Sequence, residues 1–165
     1  MKERPFIFEE IYQANYQKVL RICMGYVNGD DARAKDLAQD IFIKVWQHLK
    51  SFRKEARVST WIYRITINTC LLQLRGKRIM KSSETLESVT DVEEETHPSK
   101  ENQLKQMYQC INKLPRESMG IILLELEGLP QKEIAEVMGL SHEAVRVRVH
   151  RIKIRLTKCV QNDSI

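Results

Sequence analysis

Apolar residues recur at helical spacing along almost the whole chain. Tyr12, Tyr16, Val19, Leu20, Cys23, Met24 and Val27 step by three and four, which predicts one stripe of a helix. Asn28-Gly29-Asp30 breaks that pattern with turn-forming residues. A second stripe then places Leu37, Ala38, Ile41, Phe42, Val45, Trp46 and Leu49 inward. A third helix is expected to start with Ser59 as its cap and to carry Trp61, Ile62, Ile65 and Leu72. Further on, Leu104, Met107, Tyr108, Ile111 and Leu114 predict another amphipathic helix, stopped near Pro115. Ile121, Ile122, Leu123, Leu124 and Leu126 belong to the next. Strand-like alternation is nearly absent, so the expected class is all-α.

The last stretch, residues 128–151, has the signature of a helix-turn-helix. Ala135 is small where a second helix must come close, and Gly139 can take the positive φ that ends the first helix. Ser141 can cap the second through its hydroxyl. Val145, Val149, Ile152 and Leu156 make one apolar face, and Arg146, Arg148, Arg151, Lys153, Arg155 and Lys158 surround it. A solvated basic helix in an ordinary bundle would look similar. The basic bias after the turn favours a helix that enters a DNA major groove.

Charge divides the chain more sharply than hydrophobicity does. Residues 50–81 carry a net +8, residues 82–103 a net −6, and residues 142–158 a net +5. The acidic block is poor in apolar residues and self-repelling, which predicts a flexible linker. The expected organisation is an N-terminal helical domain at 1–81, an acidic linker at 82–103 and a four-helix domain with the helix-turn-helix at 104–165. A long surface loop within one domain is the other reading of the acidic block. The 165 residues suffice for either, and the formal net charge of +5 favours a polyanionic partner. No stretch is apolar enough to cross a bilayer, and the first residues lack a signal-peptide core. Cys23, Cys70, Cys110 and Cys159 are scattered without a Cys-x-x-Cys pair, so reduced thiols in a cytoplasmic protein are expected and a metal site is not.

Two constellations carry chemistry in the first domain. Asp36, Gln39 and Asp40 stand at i, i+3 and i+4, on one polar face opposite the Leu37/Ile41/Val45 stripe. An acidic face on a basic domain suits a basic protein partner, although a merely solvated face has the same composition. Downstream, basic residues alternate with aromatics across Phe52, Arg53, Lys54, Arg57, Trp61 and Arg64. Cations neutralise phosphates while aromatic faces stack on unpaired bases at ~1–3 kcal/mol each. Trp61 also fits the core, and Phe52 also fits a loop closing over it. No paired carboxylates, Gly-rich phosphate loop or His/Cys cluster points to an enzyme, and His48, His97, His142 and His150 lie in unrelated segments.

Residues 36–46, 52–68 and 114–156, in this order and spacing, resemble a bacterial RNA polymerase sigma factor of the extracytoplasmic-function group. The resemblance covers nearly the full length. It implies two helical domains that bind polymerase core and the two promoter elements, with no enzymatic activity and no cofactor. It places Asp36, Gln39 and Asp40 on the core polymerase. Phe52, Arg53, Lys54, Arg57, Trp61, Arg64 and Asn68 would face the melted minus-ten element. Arg146, Val147, His150 and Arg151 would face the minus-35 element. An anti-sigma factor is a further partner it suggests; a small-molecule substrate and membrane insertion are not. The chain departs from the family where Leu72 replaces an acid, where Ser118-Met119-Gly120 replaces an arginine, and where Glu143-Ala144 opens the recognition helix. The competing reading is a free-standing helix-turn-helix regulator whose first domain senses a ligand or dimerises.

Overall fold

The computed structural model describes residues 4–52, 57–81 and 100–163, and these are helical without a strand. The helices are α1 (Arg4–Tyr26), α2 (Asp31–His48), α3 (Val58–Lys81), α4 (Lys100–Asn112), α5 (Arg116–Leu126), α6 (Gln131–Met138) and α7 (His142–Asp163), with a short 3-10 turn at Leu49–Ser51 after α2. Most of the acidic stretch lies outside the described residues, and its last residues, 100–103, form the first turn of α4.

Local chemistry sets the boundaries. Asn28 and Gly29 turn the chain through left-handed φ values of 55° and 77°. The Asp30 carboxylate then accepts the Arg33 N–H at 3.2 Å and caps α2. Ser59 does not cap α3. Val58 packs against the core, which brings the start of the helix forward, and the Arg57 carbonyl accepts the Trp61 N–H at 3.1 Å. Gly139 ends α6 at φ 69°, and the Ser141 hydroxyl accepts the Ala144 N–H at 3.1 Å, so the helix-turn-helix is built as its residues predict.

The first half packs α1, α2 and α3 together. Val19, Ile22 and Tyr26 of α1 meet Leu37, Ile41 and Val45 of α2 and Ile62, Tyr63 and Ile67 of α3. Two polar groups carried into this core are satisfied, since Thr66 donates to the Ile62 carbonyl at 2.8 Å and Lys44 to the Thr69 hydroxyl at 3.2 Å, whereas the buried Tyr26 hydroxyl has no hydrogen-bond partner among the described residues. Four residues expected on inward stripes are exposed instead: Tyr12, Trp46, Leu72 and Leu104. The buried stripes are narrower than the apolar spacing predicts. Val45 and Trp46 point about 100° apart around the helix, and Val45 is fully buried while Trp46 is 51% exposed.

The two halves are not separate bodies here. One apolar cluster runs from α1–α3 into α4–α7. Glycine allows the close approach: a Cβ on Gly25 would strike the Leu123 side chain, and one on Gly120 would come within 2.8 Å of the Tyr26 hydroxyl. Around this seam, Arg21 donates two hydrogen bonds of 2.8 Å to the carboxylate of Glu127. Asn112 donates to the Gly25 carbonyl at 2.8 Å.

The expectation of four reduced thiols needs correction. Cys110 and Cys159 are joined in a disulfide, because α4 and α7 lie side by side and bring their Cα atoms to 5.9 Å across a sequence separation of 49. That proximity arises from tertiary packing and leaves no spacing motif in the sequence. Cys23 and Cys70 are free and buried.

Candidate nucleic-acid interface

The recognition helix is presented by its own core. Val145, Val149 and Ile152 are buried against the rest of the second half. The 3.6-residue period then turns Arg146, Val147, His150 and Arg151 outward, and all four are exposed. Two other cations of α7 are spent on holding the helix: Arg148 pairs with Glu117 at 3.0 Å and Lys153 with Glu125 at 3.1 Å. Arg146 and Arg151 have no ion-pair partner among the described residues. They are free to meet phosphates or the guanine edge, which a guanidinium grips through two bonds.

The basic and aromatic face of the first half is arranged differently. Phe52 and Trp61 are half-buried with ring centroids 4.9 Å apart, so both close over the core while keeping an edge in solvent. Arg57 and Arg64 both turn toward α6. Arg57 pairs with Glu133 at 2.9 Å, and the Arg64 guanidinium donates to the Glu136 carbonyl at 3.1 and 2.9 Å. Asn68 is exposed at a groove shared with Arg75, Arg116 and Glu117. Arg53 and Lys54 lie outside the described residues. The helix-turn-helix thus covers part of the surface that the sequence assigns to nucleic acid.

Electrostatics at this seam is fixed by Glu127. Its side chain is only 8% exposed, and the hydrogen bond from Arg21, together with the opposite charge, pushes the guanidinium further above its ordinary value. Tyr63 is pushed up to about 12, first by burial and then by Glu127 and Glu133, so its phenol stays neutral beside the pair.

Asp36, Gln39 and Asp40 share the exposed face of α2. Gln39 also borders an aromatic groove lined by Phe8, Tyr12, Tyr16, Phe42, Ile43 and Trp46. Phe8 and Trp46 meet edge-on at 5.0 Å, and Tyr12 and Phe42 at 4.9 Å. The apolar spacing alone predicts most of these rings to be core. The fourfold spacing of Phe8, Tyr12 and Tyr16 was the available signal for a second, outer aromatic row. Nothing local could have revealed Glu127, Glu133 and Glu136 as partners of Arg21, Arg57 and Arg64, because more than 70 residues separate each pair.

Among the described residues no three His, Cys, Asp or Glu side chains converge as a metal site, and no helix is long and apolar enough to cross a membrane.

Comparison with known proteins follows the same division. The model of sigma-70 region 2 matches residues 11–79, and that of sigma-70 region 4 matches residues 104–156. The chain is 32% identical to the RNA polymerase sigma-H factor of Pseudomonas aeruginosa, covering 87% of this chain and 81% of that one. It is 31% identical to the RNA polymerase sigma factor YlaC of Bacillus subtilis, covering 96% and 94%. It is 33% identical to the ECF RNA polymerase sigma-E factor of Escherichia coli, covering 87% and 81%. Among solved structures, the sigma factor RpoE of Bartonella quintana, in complex with the anti-sigma factor NepR, superposes with a TM-score of 0.74 at 21% identity over 93% of this chain and 96% of that one. CnrH, in complex with the cytosolic domain of CnrY, gives 0.71 at 21% identity over 94% and 88%.

Proposed function

This chain belongs to the sigma-70 family, in the extracytoplasmic-function group of RNA polymerase sigma factors, and from that premise we propose how its surfaces divide the work. It directs promoter-specific transcription initiation by polymerase core. Residues 1–81 form the module for core and the minus-ten element, residues 104–165 the module for the minus-35 element, and residues 82–103 the tether.

In this reading Asp36, Gln39 and Asp40 dock on core, where an acidic face meets a basic partner. Arg146, Val147, His150 and Arg151 enter the major groove upstream. Phe52, Arg53, Lys54, Arg57, Trp61, Arg64 and Asn68 hold the opened strand downstream. Opening a duplex and extruding a base costs a few kcal/mol. Phosphate neutralisation and stacking offset it, which is why cations stand beside aromatics. The subunit carries no catalytic step of its own and works in the cytoplasm, where core and promoter are.

The packing of α6 over α3 gives these surfaces an order of use. Arg57 and Arg64 reach DNA only after they leave Glu133 and Glu136. A protein that binds across the seam would therefore hold the chain inactive, and an anti-sigma factor is the partner this predicts. One structural neighbour, RpoE of Bartonella quintana, is a sigma factor in complex with the anti-sigma factor NepR, and another, CnrH, is in complex with the cytosolic domain of CnrY.

The observation that carries the assignment is the outward set of α7 residues above a buried Val145/Val149/Ile152 stripe, in a chain whose other half matches region 2. Run-off transcription with purified bacterial core polymerase on genomic promoter fragments tests it. Discrete transcripts that require the chain are expected; a core enzyme indifferent to the chain on all fragments would refute it.

A further inference from the structure

Cys110 and Cys159 sit at opposite ends of the second half in sequence and share one bond in space. Cys110 is on the buried face of α4, and Cys159 is half-buried near the end of α7. Their Cα separation of 5.9 Å is within the ordinary range for a bridged pair, so helix packing alone presents the two sulfurs to each other. Lys113 Nζ lies 3.9 Å from the Cys159 sulfur. A cation there favours the thiolate once the bond is reduced, and the thiolate is the reacting form.

The other two cysteines provide a contrast within the same molecule. Cys23 and Cys70 face each other from α1 and α3 with no solvent exposure. Their mutual hydrogen bond, then burial, pushes the Cys70 thiol well up, and Lys44 offsets this only weakly. That pair has no solvent exposure, while the first has a half-buried member, Cys159, with a cation beside it.

We propose that Cys110–Cys159 is a reversible redox modification site, closed by hydroperoxides and reopened by low-molecular-weight thiols, which sets how firmly the promoter-reading half is held together. The proposal rests on the sigma-factor reading, because a polymerase subunit works where thiols are kept reduced and a disulfide there is transient. In the forward direction the Cys159 thiolate attacks a peroxide oxygen, becomes a sulfenic acid and releases water after protonation. The Cys110 sulfur then attacks the sulfenic sulfur, forms the S–S bond and releases a second water. Two thiols lose two electrons and two protons, and one hydrogen peroxide becomes two waters. In reverse, a small thiolate attacks the half-buried Cys159 sulfur and Cys110 leaves as a thiolate that takes a proton. A second small thiol resolves the mixed disulfide, so the two electrons come from two small thiols.

The bond matters because of what it ties. It closes a span that contains α5, α6 and most of α7, and the unfolded chain loses the freedom of that whole loop. Alongside it Gln106 donates to the Val160 carbonyl at 3.0 Å. On its other side α4 rests on α1 through Tyr108 at Gly29 and Asn112 at the Gly25 carbonyl. The end of the recognition helix is thus fastened to the element that seats this half on the first.

The test uses the full chain after treatment with hydrogen peroxide or with dithiothreitol. Alkylation under native conditions followed by peptide mass spectrometry should find Cys110 linked to Cys159 only after peroxide, with Cys23 and Cys70 alkylated only after denaturation. Reduction should lower Tm by roughly 5–15 °C. Cys159→Ser, at the more exposed position, should show the lower Tm under both treatments. Run-off transcription at rising temperature should persist longer with oxidised than with reduced wild-type chain, and C159S should follow the reduced protein. Free alkylation of Cys110 and Cys159 after peroxide, or a Tm that ignores redox state, would overturn the proposal. If the linked peptide and the Tm shift are present but the chain never programmes core polymerase, it is the sigma-factor reading that fails.

Discussion

Individual residues show most directly why the sequence was readable here. Arg146 and Arg151 could be assigned to the outer face from the spacing of Val145, Val149 and Ile152 alone, since a helix with one buried stripe has no freedom about where the other positions point. Each guanidinium that reads a base pair contributes ~1–3 kcal/mol of discrimination, so Arg146→Ala or Arg151→Ala should lower use of the upstream element by roughly 10- to 100-fold. Holoenzyme binding to promoter fragments with intact and scrambled minus-35 elements measures this. The loss should vanish on the scrambled fragment, and an equal loss on both would reduce the residue to a phosphate contact. Gly25 was not readable in the same way. It lies within the first helix stripe, and its role depends on Leu123, far along the chain, occupying the place of its missing Cβ. Gly25→Ala should destabilise the fold by about 1–3 kcal/mol, the usual cost of overpacking, seen as a lower urea midpoint at unchanged slope.

At the scale of the helix, the sequence pattern predicted each of the seven helices that the described residues contain, because each buries an apolar stripe, but it carried Leu49 on into the second helix where a 3-10 turn stands at Leu49–Ser51. Stripe width was not legible. How far around α2 the core extends depends on what α1 and α3 cover, and α1 meets Trp46 through the edge-on ring of Phe8, at the border of an open groove. The same exposure makes α2 suited to a partner. Gln39, on the same polar face as Asp36 and Asp40, borders that aromatic groove, so charge and apolar area are offered on one helix, as at the centre and rim of a protein interface. Asp40→Lys should weaken association with polymerase core by at least tenfold while far-ultraviolet circular dichroism and Tm stay near wild type, since the side chain is exposed. A pull-down with undiminished core would remove α2 as the docking face.

The whole molecule raises a question that neither residues nor helices pose. Its charge blocks predict two cationic modules held apart by an anionic tether, yet α6 lies on α3 and the apolar cluster is continuous across them. Like-charged surfaces can meet because acidic side chains line the seam: Glu127 and Glu133 neutralise Arg21 and Arg57, and the Glu136 carbonyl takes Arg64. These contacts are unequal. Arg57 is 80% exposed, and salt screens such a pair at little cost. The Glu127 carboxylate is almost fully covered, so removing its charge leaves a desolvated group with half its bonds. Glu127→Gln should therefore loosen the two halves where Glu133→Gln alone does little. Small-angle scattering should show a larger radius of gyration for E127Q than for wild type. The free chain should bind a single-stranded minus-ten fragment more tightly, because Arg57 and Arg64 are released. The two readouts must move together. An expanded chain with unchanged DNA affinity would mean that α6 does not mask the basic face. An unexpanded chain would mean that Gly25, Leu123 and the surrounding apolar seam hold the halves without help from charge.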